Sequence, residues 1–287
     1  MSSNPLLVTA DQPRKSRSGN PWLLPNTLLP AAFVLLLIIT VIAPQWFTPL
    51  KPDDMDMDAV LATPTLHHWF GTDSLGRDVF SRVIYGSALS LSIGVGATLI
   101  ACVGGTALGL LSALAPLAIR RVLVRLLDIL LAFPELLLAL LVIAVLGRGP
   151  TNTLIAVGLS GIASYARLLR SQVLQVKFSG YVEHAVALGE APLSIIFRHI
   201  LPNTLRPLLI LATIGVGQSV LTASSLSFLG LGVVPPTAEW GALLADGRDY
   251  LDVAPWISLL PATVVAVSVI AITLLGRRLQ TILAKGA

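Results

Sequence analysis

The chain has 287 residues, of which 55% are hydrophobic and only 12% are charged, and its mean hydropathy is +0.84. These values exclude an ordinary soluble globular domain of this length and indicate an integral membrane protein. A single cysteine, Cys102, excludes a disulfide framework and a cysteine-based metal or redox site. The basic residues, which set the pI near 9.6, are scattered at the ends of apolar runs, so membrane topology explains them better than nucleic-acid binding.

Six apolar runs approach the roughly 20 residues that a helix needs to cross a bilayer. In chain order they are Thr27 to Ala43, Ser87 to Ala115, Val122 to Leu146, Thr153 to Leu169, Leu208 to Val234 and Ile257 to Leu275. No small-x-small cleavage site follows the first run, which is therefore interpreted as an uncleaved anchor. The fourth run is short and rich in small residues, which suits a helix packed inside a bundle. The predicted fold class is an all-α membrane protein with six transmembrane helices.

The basic residues between the runs predict the orientation. If the N-terminus is cytoplasmic, 14 of the 19 Lys and Arg residues lie in cytoplasmic segments, as the positive-inside rule requires. The predicted topology is therefore N-in and C-in. It makes residues 1–26 and 281–287 cytoplasmic tails, residues 27–84 an anchor helix with an extracytoplasmic segment, and residues 85–280 the main transmembrane domain.

A polar stretch, "EHAVALGEAPLSIIFRHILPN", interrupts the apolar runs inside a cytoplasmic loop at residues 171–206. Its pattern predicts two turns of helix, a bend at Gly189, and a second short helix that begins at Pro192 and ends at Pro202. A helix-bend-helix elbow of this kind is expected to dock onto another protein. The alternative is an amphipathic elbow that lies on the lipid headgroups.

The elbow resembles the EAA motif of ABC importer permeases through Glu183-His184-Ala185, Gly189 and the ending "RHILPN". It departs at His184, where the family more often has Ala. The dipeptide, oligopeptide and nickel branch of the family is indicated by "HWFGTDSLGRDVFSRVIYGSALSLSIG", "RLLDILLAFPELLLAL", "YARLLRSQVL" and "SSLSFLGLGVVPPTAEWGALLADGRDY". The resemblance covers roughly residues 27–276 and implies the type-I ABC importer transmembrane fold. The basic ending "LLGRRLQTILAKGA" departs from the family's acidic tail and leaves the tail contacts open.

The resemblance implies a permease subunit that forms half of a translocation pathway in the bacterial cytoplasmic (inner) membrane. Peptides are the expected cargo, with nickel or another metal chelate as a related possibility. The expected partners are a homologous permease in a heterodimer, two ATPase subunits, an extracytoplasmic substrate-binding protein and membrane lipid, but not nucleic acid. The residues expected to couple to the ATPase are Glu183, His184, Ala185, Gly189, Leu201 and Pro202.

Catalytic and cofactor motifs are absent from the sequence. There is no Gly-x-x-x-x-Gly-Lys-Ser/Thr loop, so ATP and Mg are expected on the ATPase subunits, and this chain is expected to bind no cofactor. No His-Glu-x-x-His helix occurs, and His67 and His68 are adjacent with no third ligand nearby, so neither an enzyme nor a metal site is expected. A motor-independent channel or facilitator is the alternative function.

Polar residues inside the apolar runs are candidates for lining the pathway, because buried ionisable and polar groups are costly in a membrane. They are Glu135, Gln218, Ser219, Thr222, Ser224 and Ser225. Phe133-Pro134 is expected to kink the third span just before Glu135. Asp128 is expected to pair with Arg125, one helical turn earlier.

The external turn "GTDSLGRD" contains three charged residues, Asp73, Arg77 and Asp78. They are expected to pair among themselves or to cap the helix that begins near Val79. The resemblance places this turn on the side where a substrate-binding protein lands, so the three residues are candidates for docking it.

Overall fold

The computed structural model describes residues 25–285, and every regular element within them is helical. The α-helices are α1 (Pro25–Ile42), α2 (Val79–Leu114), α3 (Leu117–Ala132), α4 (Glu135–Leu146), α5 (Pro150–Lys177), α6 (Gly180–Ala187), α7 (Pro192–Ser194), α8 (Leu201–Phe228), α9 (Trp240–Arg248) and α10 (Trp256–Lys285). Two 3-10 turns, Pro44–Trp46 and Met57–Ala59, lie between α1 and α2. Residues 1–24 and 286–287 of the predicted tails lie outside the described residues.

The all-α prediction is confirmed for the described residues. Three helical stretches are long and apolar enough to cross a bilayer, namely Val79–Leu114, Pro192–Phe228 and Trp256–Ile282. The number rises to four if α3 and α4 together form one span. The other two predicted spans are less clear, because α1 offers only a short apolar helix and α5 carries basic residues near its end.

The third predicted span, Val122 to Leu146, is not one continuous helix. It breaks between α3 and α4, whose axes differ by 98°, which is far more than the expected kink. Phe133 is extended, with φ −91° and ψ 142°, because the ring of Pro134 disfavours the helical conformation for the residue before it. Glu135 then starts α4 on a new axis.

The second elbow helix does not end at Pro202, so that prediction is wrong. Pro202 is the second residue of α8, and the chain runs helically from α7 through a π-helical segment, Ile195–Ile200, into α8. The wider π turn, in which the Leu201 N–H donates to Ile196 O, accommodates a proline that has no N–H of its own. The elbow is therefore continuous with the long helix that follows it.

The closest helix packing joins α2 and α5 through small residues. A Cβ atom added to Gly105 would lie 2.4 Å from Tyr165 Cβ, and one added to Gly109 would lie 2.9 Å from Ala166 O. Glycines at such contacts let two backbones approach closely, which is how helices associate within a membrane. This packing fixes α5, the helix that leads into the elbow, against α2.

The opposite end of the bundle is closed by α9, which lies in the predicted external segment and packs on α8 and α10. Trp240 is fully buried there, and its indole N–H donates to Val83 O at 3.0 Å. Glu239 caps the helix by accepting from Gly241 N at 3.0 Å and from Ala242 N at 2.9 Å. The segment between α8 and α10 thus has a structure of its own.

Candidate functional site

The bend of the elbow is a Schellman motif at the end of α6. Glu190 N–H donates to Ala185 O at 3.1 Å, and Gly189 N–H donates to Val186 O at 3.0 Å. Gly189 has a φ of +79°, the left-handed conformation that this motif requires and that glycine adopts at no steric cost. The predicted bend at Gly189 is therefore confirmed.

A side-chain contact holds the second arm of the elbow against the bend. His199 Nε2 lies 2.7 Å from Glu190 Oε2, and both side chains are about one-third exposed. Pro192 occupies the first turn of α7, where its missing N–H costs nothing. The angle between the two arms is thus set by the backbone at Gly189 and by the Glu190–His199 contact.

One face of the elbow belongs to the core of the bundle. Four of its residues are buried, namely Val182, Ala185, Ile195 and Ile200. They pack in one cluster with Leu169 and Val173 of α5 and Leu208 of α8. Burial of this apolar face makes the elbow a fixed extension of the bundle rather than a loose loop.

The other face of the elbow is apolar and exposed. Leu188, Leu193 and Phe197 are 86%, 68% and 65% exposed, respectively. A separate groove of about 550 Å3 lies between the two arms of the elbow and the end of α5, with Lys177 and Glu183 among its lining residues. An apolar surface of this kind on a rigid support is typical of a protein docking site.

The predicted coupling residues divide between the two faces. Those on the exposed side are Glu183, His184 and Gly189. Ala185 is 7% exposed and packs in the core cluster, so its methyl group is not open to a partner as the close-approach role would need. Leu201 is half-buried and Pro202 is exposed at the start of α8.

The predicted pathway residues of α8 do not share one surface. Gln218 is exposed and Ser225 is half-buried on one side of the helix, with Thr222 buried beside them. Ser224 lies on the opposite side, against Gly241 of α9, and its hydroxyl has no hydrogen-bond partner within the described residues. Only part of the predicted polar face is therefore available to a pathway.

Two further candidates lie at helix contacts. Ser219 is hydrogen-bonded to Thr98 of α2, with 3.0 Å between the hydroxyl oxygens. Glu135 is half-buried in the first turn of α4, next to Gly161 of α5. Glu135 thus lies at the break between α3 and α4, partly covered by α5.

The predicted pairing and capping in the external turn are confirmed. Arg77 Nε donates to Asp73 Oδ2 at 2.7 Å, and Asp78 caps α2 by accepting from Ser81 N at 2.7 Å. Asp78 also contacts His68 Nδ1 at 2.9 Å. All three predicted docking residues are at most 5% exposed in the chain alone, and their role in docking stays a prediction.

The sequence reasoning missed two members of this external cluster. Arg82 is fully buried, 3.8 Å from Asp73 and 3.7 Å from Asp246 of α9. Burial raises the pKa of the Asp246 carboxyl, and the guanidinium groups of Arg82 and Arg77 oppose that shift. A signal was present, because Arg82 is one turn into an otherwise apolar helix, where a charge needs a partner.

Two other polar contacts bear on the predictions. The helical spacing predicted that Asp128 pairs with Arg125, and that prediction is wrong. Asp128 pairs instead with Arg167 of α5 at 2.7 Å. Within the described residues, no group of three or more His, Cys, Asp or Glu side chains could hold a metal ion. His68 is instead part of the external cluster through its contact with Asp78.

Comparison with known proteins identifies the family. Residues 105–287 match the family described as the binding-protein-dependent transport system inner membrane component. The chain belongs to this family. It is a permease subunit of an ABC importer of the peptide and oligopeptide type, located in the bacterial inner membrane, and its family consists of non-catalytic membrane components.

Curated relatives cover nearly the whole permease. It is 43% identical over 251 residues to the glutathione transport system permease protein GsiD of Escherichia coli O6:K15:H31, which covers 87% of this chain and 83% of the relative. It is also 43% identical over 254 residues to GsiD of Salmonella paratyphi A, with 88% and 84% covered.

Solved structures confirm the type-I importer fold. The inward-facing MetNI methionine ABC transporter matches with a TM-score of 0.58 at 18% identity, covering 69% of the permease and 94% of the matched chain. An amino acid ABC transporter crystallised with histidines matches with a TM-score of 0.55 at 18% identity, covering 72% and 95%.

Proposed function

We propose that this permease spans the membrane six times, with both termini in the cytoplasm, and forms half of the translocation pathway of an ATP-driven peptide importer. The charge distribution supports the orientation, since 14 of the 19 Lys and Arg residues then lie in cytoplasmic segments. Of the broken pair, α4 would cross the membrane while α3 lies along its cytoplasmic surface, and α1 and α5 would supply the two remaining spans.

The exposed apolar face of the elbow is the observation that carries the proposal. Three large apolar side chains, Leu188, Leu193 and Phe197, are exposed on this face, and a patch of this kind indicates a surface that another protein covers. The elbow that carries them is held rigidly by its packing on the bundle. An ATPase subunit is the occupant we propose, because this chain has no nucleotide-binding loop and its family works with separate ATPases. The exposed Glu183 would pair with a basic residue of that subunit.

The connections of the elbow explain how force would reach the pathway. One arm follows α5 after only Phe178 and Ser179, and the other arm continues directly into α8. A movement of the docked elbow would therefore displace α5 and α8 as rigid bodies. The exposed Gln218 and the half-buried Ser225 are on α8, and we propose that they face the pathway beside a homologous partner permease.

Photocrosslinking tests the docking proposal. A photoreactive amino acid at Leu188 is expected to capture the ATPase subunit in intact cells, because this side chain is 86% exposed at the tip of the elbow. The matched control is Val145, which is equally exposed, at 86%, on the apolar helix α4. Crosslinks to the ATPase from both positions, or from neither, would contradict the docking proposal.

We propose a short peptide of the glutathione type as the cargo. Its support is the 43% identity to permeases named for glutathione transport over most of their length. A nickel or other metal chelate is the second candidate, from the resemblance to the nickel branch. The permease would receive the cargo from an extracytoplasmic substrate-binding protein, with Asp73, Arg77 and Asp78 near the contact.

Uptake measurements distinguish the cargo and the mode of transport. Cells that express the complete importer are expected to accumulate radiolabelled glutathione, and unlabelled short peptides are expected to compete while nickel chelates are not. Collapse of cellular ATP should stop accumulation. Equilibration of the label without ATP would favour the motor-independent channel, and competition by nickel chelates alone would favour the other cargo.

A further inference from the structure

A basic cavity of about 370 Å3 lies between α3 and α5, at the end of the bundle that carries the elbow. Four arginines line it: Arg120, Arg121, Arg125 and Arg170. Asp128 is the one acidic residue in its lining. The elbow itself neither lines this cavity nor needs it for the coupling proposed above.

The positive charge of this cavity is largely uncompensated. Asp128 is already paired with Arg167, which is not among the lining residues, at 2.7 Å. Arg170 Nε donates to the backbone oxygen of Ser112 at 3.3 Å, which leaves its charge unpaired. The other three arginines form no ion pair and no side-chain hydrogen bond with any residue between 25 and 285. Guanidinium groups gathered in this way attract a phosphate, to which they can donate two hydrogen bonds each.

Helix α3 supplies most of the lining. Its axis and its distribution of apolar residues are those of an amphipathic helix that lies in the membrane surface. Its axis is 98° from that of the apolar helix α4, so α3 lies along the bilayer if α4 crosses it. Only Leu127 of α3 is buried. Its exposed large apolar residues are Leu117, Ile119, Val122, Leu126 and Ile129.

Four of these residues, all but Leu117, form one stripe along α3, and Arg121 and Arg125 lie roughly a quarter to a third of a turn away from it. An amphipathic helix with this division places its apolar stripe among acyl chains and its arginines at the headgroups. With α3 in this position, the cavity would open at the depth of the phosphates, with the apolar stripe beside it.

We propose that this cavity binds the phosphate headgroup of an anionic phospholipid. The four arginines supply charge complementarity, and the neighbouring apolar stripe supplies contacts for acyl chains, which free phosphate would not use. The bound lipid would hold α3, which has little contact with the core, against α5. The assignment of the lipid to the inner leaflet rests on the proposed topology. The binding itself rests on the arginines of the cavity and not on that topology.

Native mass spectrometry of the full-length, delipidated permease tests this proposal. The protein is titrated with phosphatidylglycerol or with phosphatidylcholine of the same acyl chains. Retention of phosphatidylglycerol is expected to exceed that of phosphatidylcholine. Arg121→Gln with Arg125→Gln should weaken the retention of phosphatidylglycerol by about 25-fold, because each arginine near an anionic headgroup contributes roughly a fivefold increase in affinity.

Three controls make the result specific. Arg277→Gln with Arg278→Gln removes the same charge from α10 and should leave retention unchanged. Arg121→Lys with Arg125→Lys keeps the charge and should keep most of the retention. Inorganic phosphate at millimolar concentration should not displace the lipid.

Any of three outcomes would overturn the proposal. The first is equal retention of the two lipids by the unaltered protein, a comparison that needs no variant to fold. The second is unchanged retention in the glutamine variant of α3, or an equal loss in the α10 control. The third is displacement by inorganic phosphate, which would make the cavity a site for soluble anions.

Discussion

Replacing Gly189 by valine is expected to reduce ATP-driven uptake by about tenfold or more, because a β-branched residue at positive φ is strained by about 1–3 kcal/mol. Gly189 has a φ of +79°, and the Schellman hydrogen bonds of the elbow depend on that conformation. A valine would shift the backbone at the bend and change the direction of the second arm. Uptake of labelled cargo and ATPase activity of the assembled importer are the measurements.

A pair of glycines provides the matched control for this experiment. A Cβ atom added at Gly189 or at Gly180 meets no other atom within 4 Å, but only Gly189 has a positive φ. Gly189→Ala should therefore impair uptake more than Gly180→Ala, and Gly189→Asn should retain much of it, because asparagine tolerates the left-handed conformation.

The measurements also separate failed coupling from failed assembly. The valine variant should still fold and pair with the homologous permease, since the buried face of the elbow, with Val182 and Ile195, is unchanged. ATP hydrolysis should continue without transport. Normal uptake by the valine variant would refute the idea that the shape of the elbow transmits force, and a passive channel would give that result.

Replacing Asp73 by asparagine is expected to lower the free energy of unfolding by about 3–5 kcal/mol, the cost of breaking a buried ion pair. Asp73 is 4% exposed, and its carboxylate accepts from the Arg77 backbone N–H and side chain at 3.0 Å and 2.7 Å. Without the Asp73 carboxylate, Arg77 and Arg82 stay buried with two remaining acidic neighbours. Asp246 lies 3.8 Å from Arg77 and 3.7 Å from Arg82, and Asp53 lies 3.8 Å from Arg82. Thermal unfolding of the purified permease is the measurement.

An exposed ion pair gives the control for Asp73. Asp249 pairs with Arg248 at 3.2 Å, but the two side chains are 75% and 54% exposed. Asp249→Asn should change the free energy of unfolding by about 0–1 kcal/mol. Adding Arg77→Met to Asp73→Asn should restore part of the lost stability, because it removes one unpaired buried charge.

The Asp73 variant also tests the proposed docking role of the external turn. A structural role predicts a lower Tm together with any loss of binding-protein affinity. A direct contact predicts weaker binding of the substrate-binding protein at an unchanged Tm. An unchanged Tm would contradict the assignment of Asp73 to a buried network.

The sequence by itself determined the features that rest on local patterns. Apolar runs revealed the helices, because each must hide its backbone from lipid over about 20 residues. The spacing from Glu183 through Gly189 identified the elbow, since a glycine bend followed by a proline has a strong local preference. The capping of α2 by Asp78 could be predicted for the same reason, since an N-cap is a local preference.

Only the tertiary structure decided how those elements meet. A proline marks a weak point in a helix, but the 98° turn between α3 and α4 depends on what each packs against. The spacing of Asp128 allowed Arg125 as partner, whereas the fold supplies Arg167 from α5. Which elbow residues face the core, as Ala185 does, and which face outward, as Leu188 does, likewise depends on the position of α5. Contacts between residues distant in the chain leave no local pattern, so these features became visible only once the helices were packed.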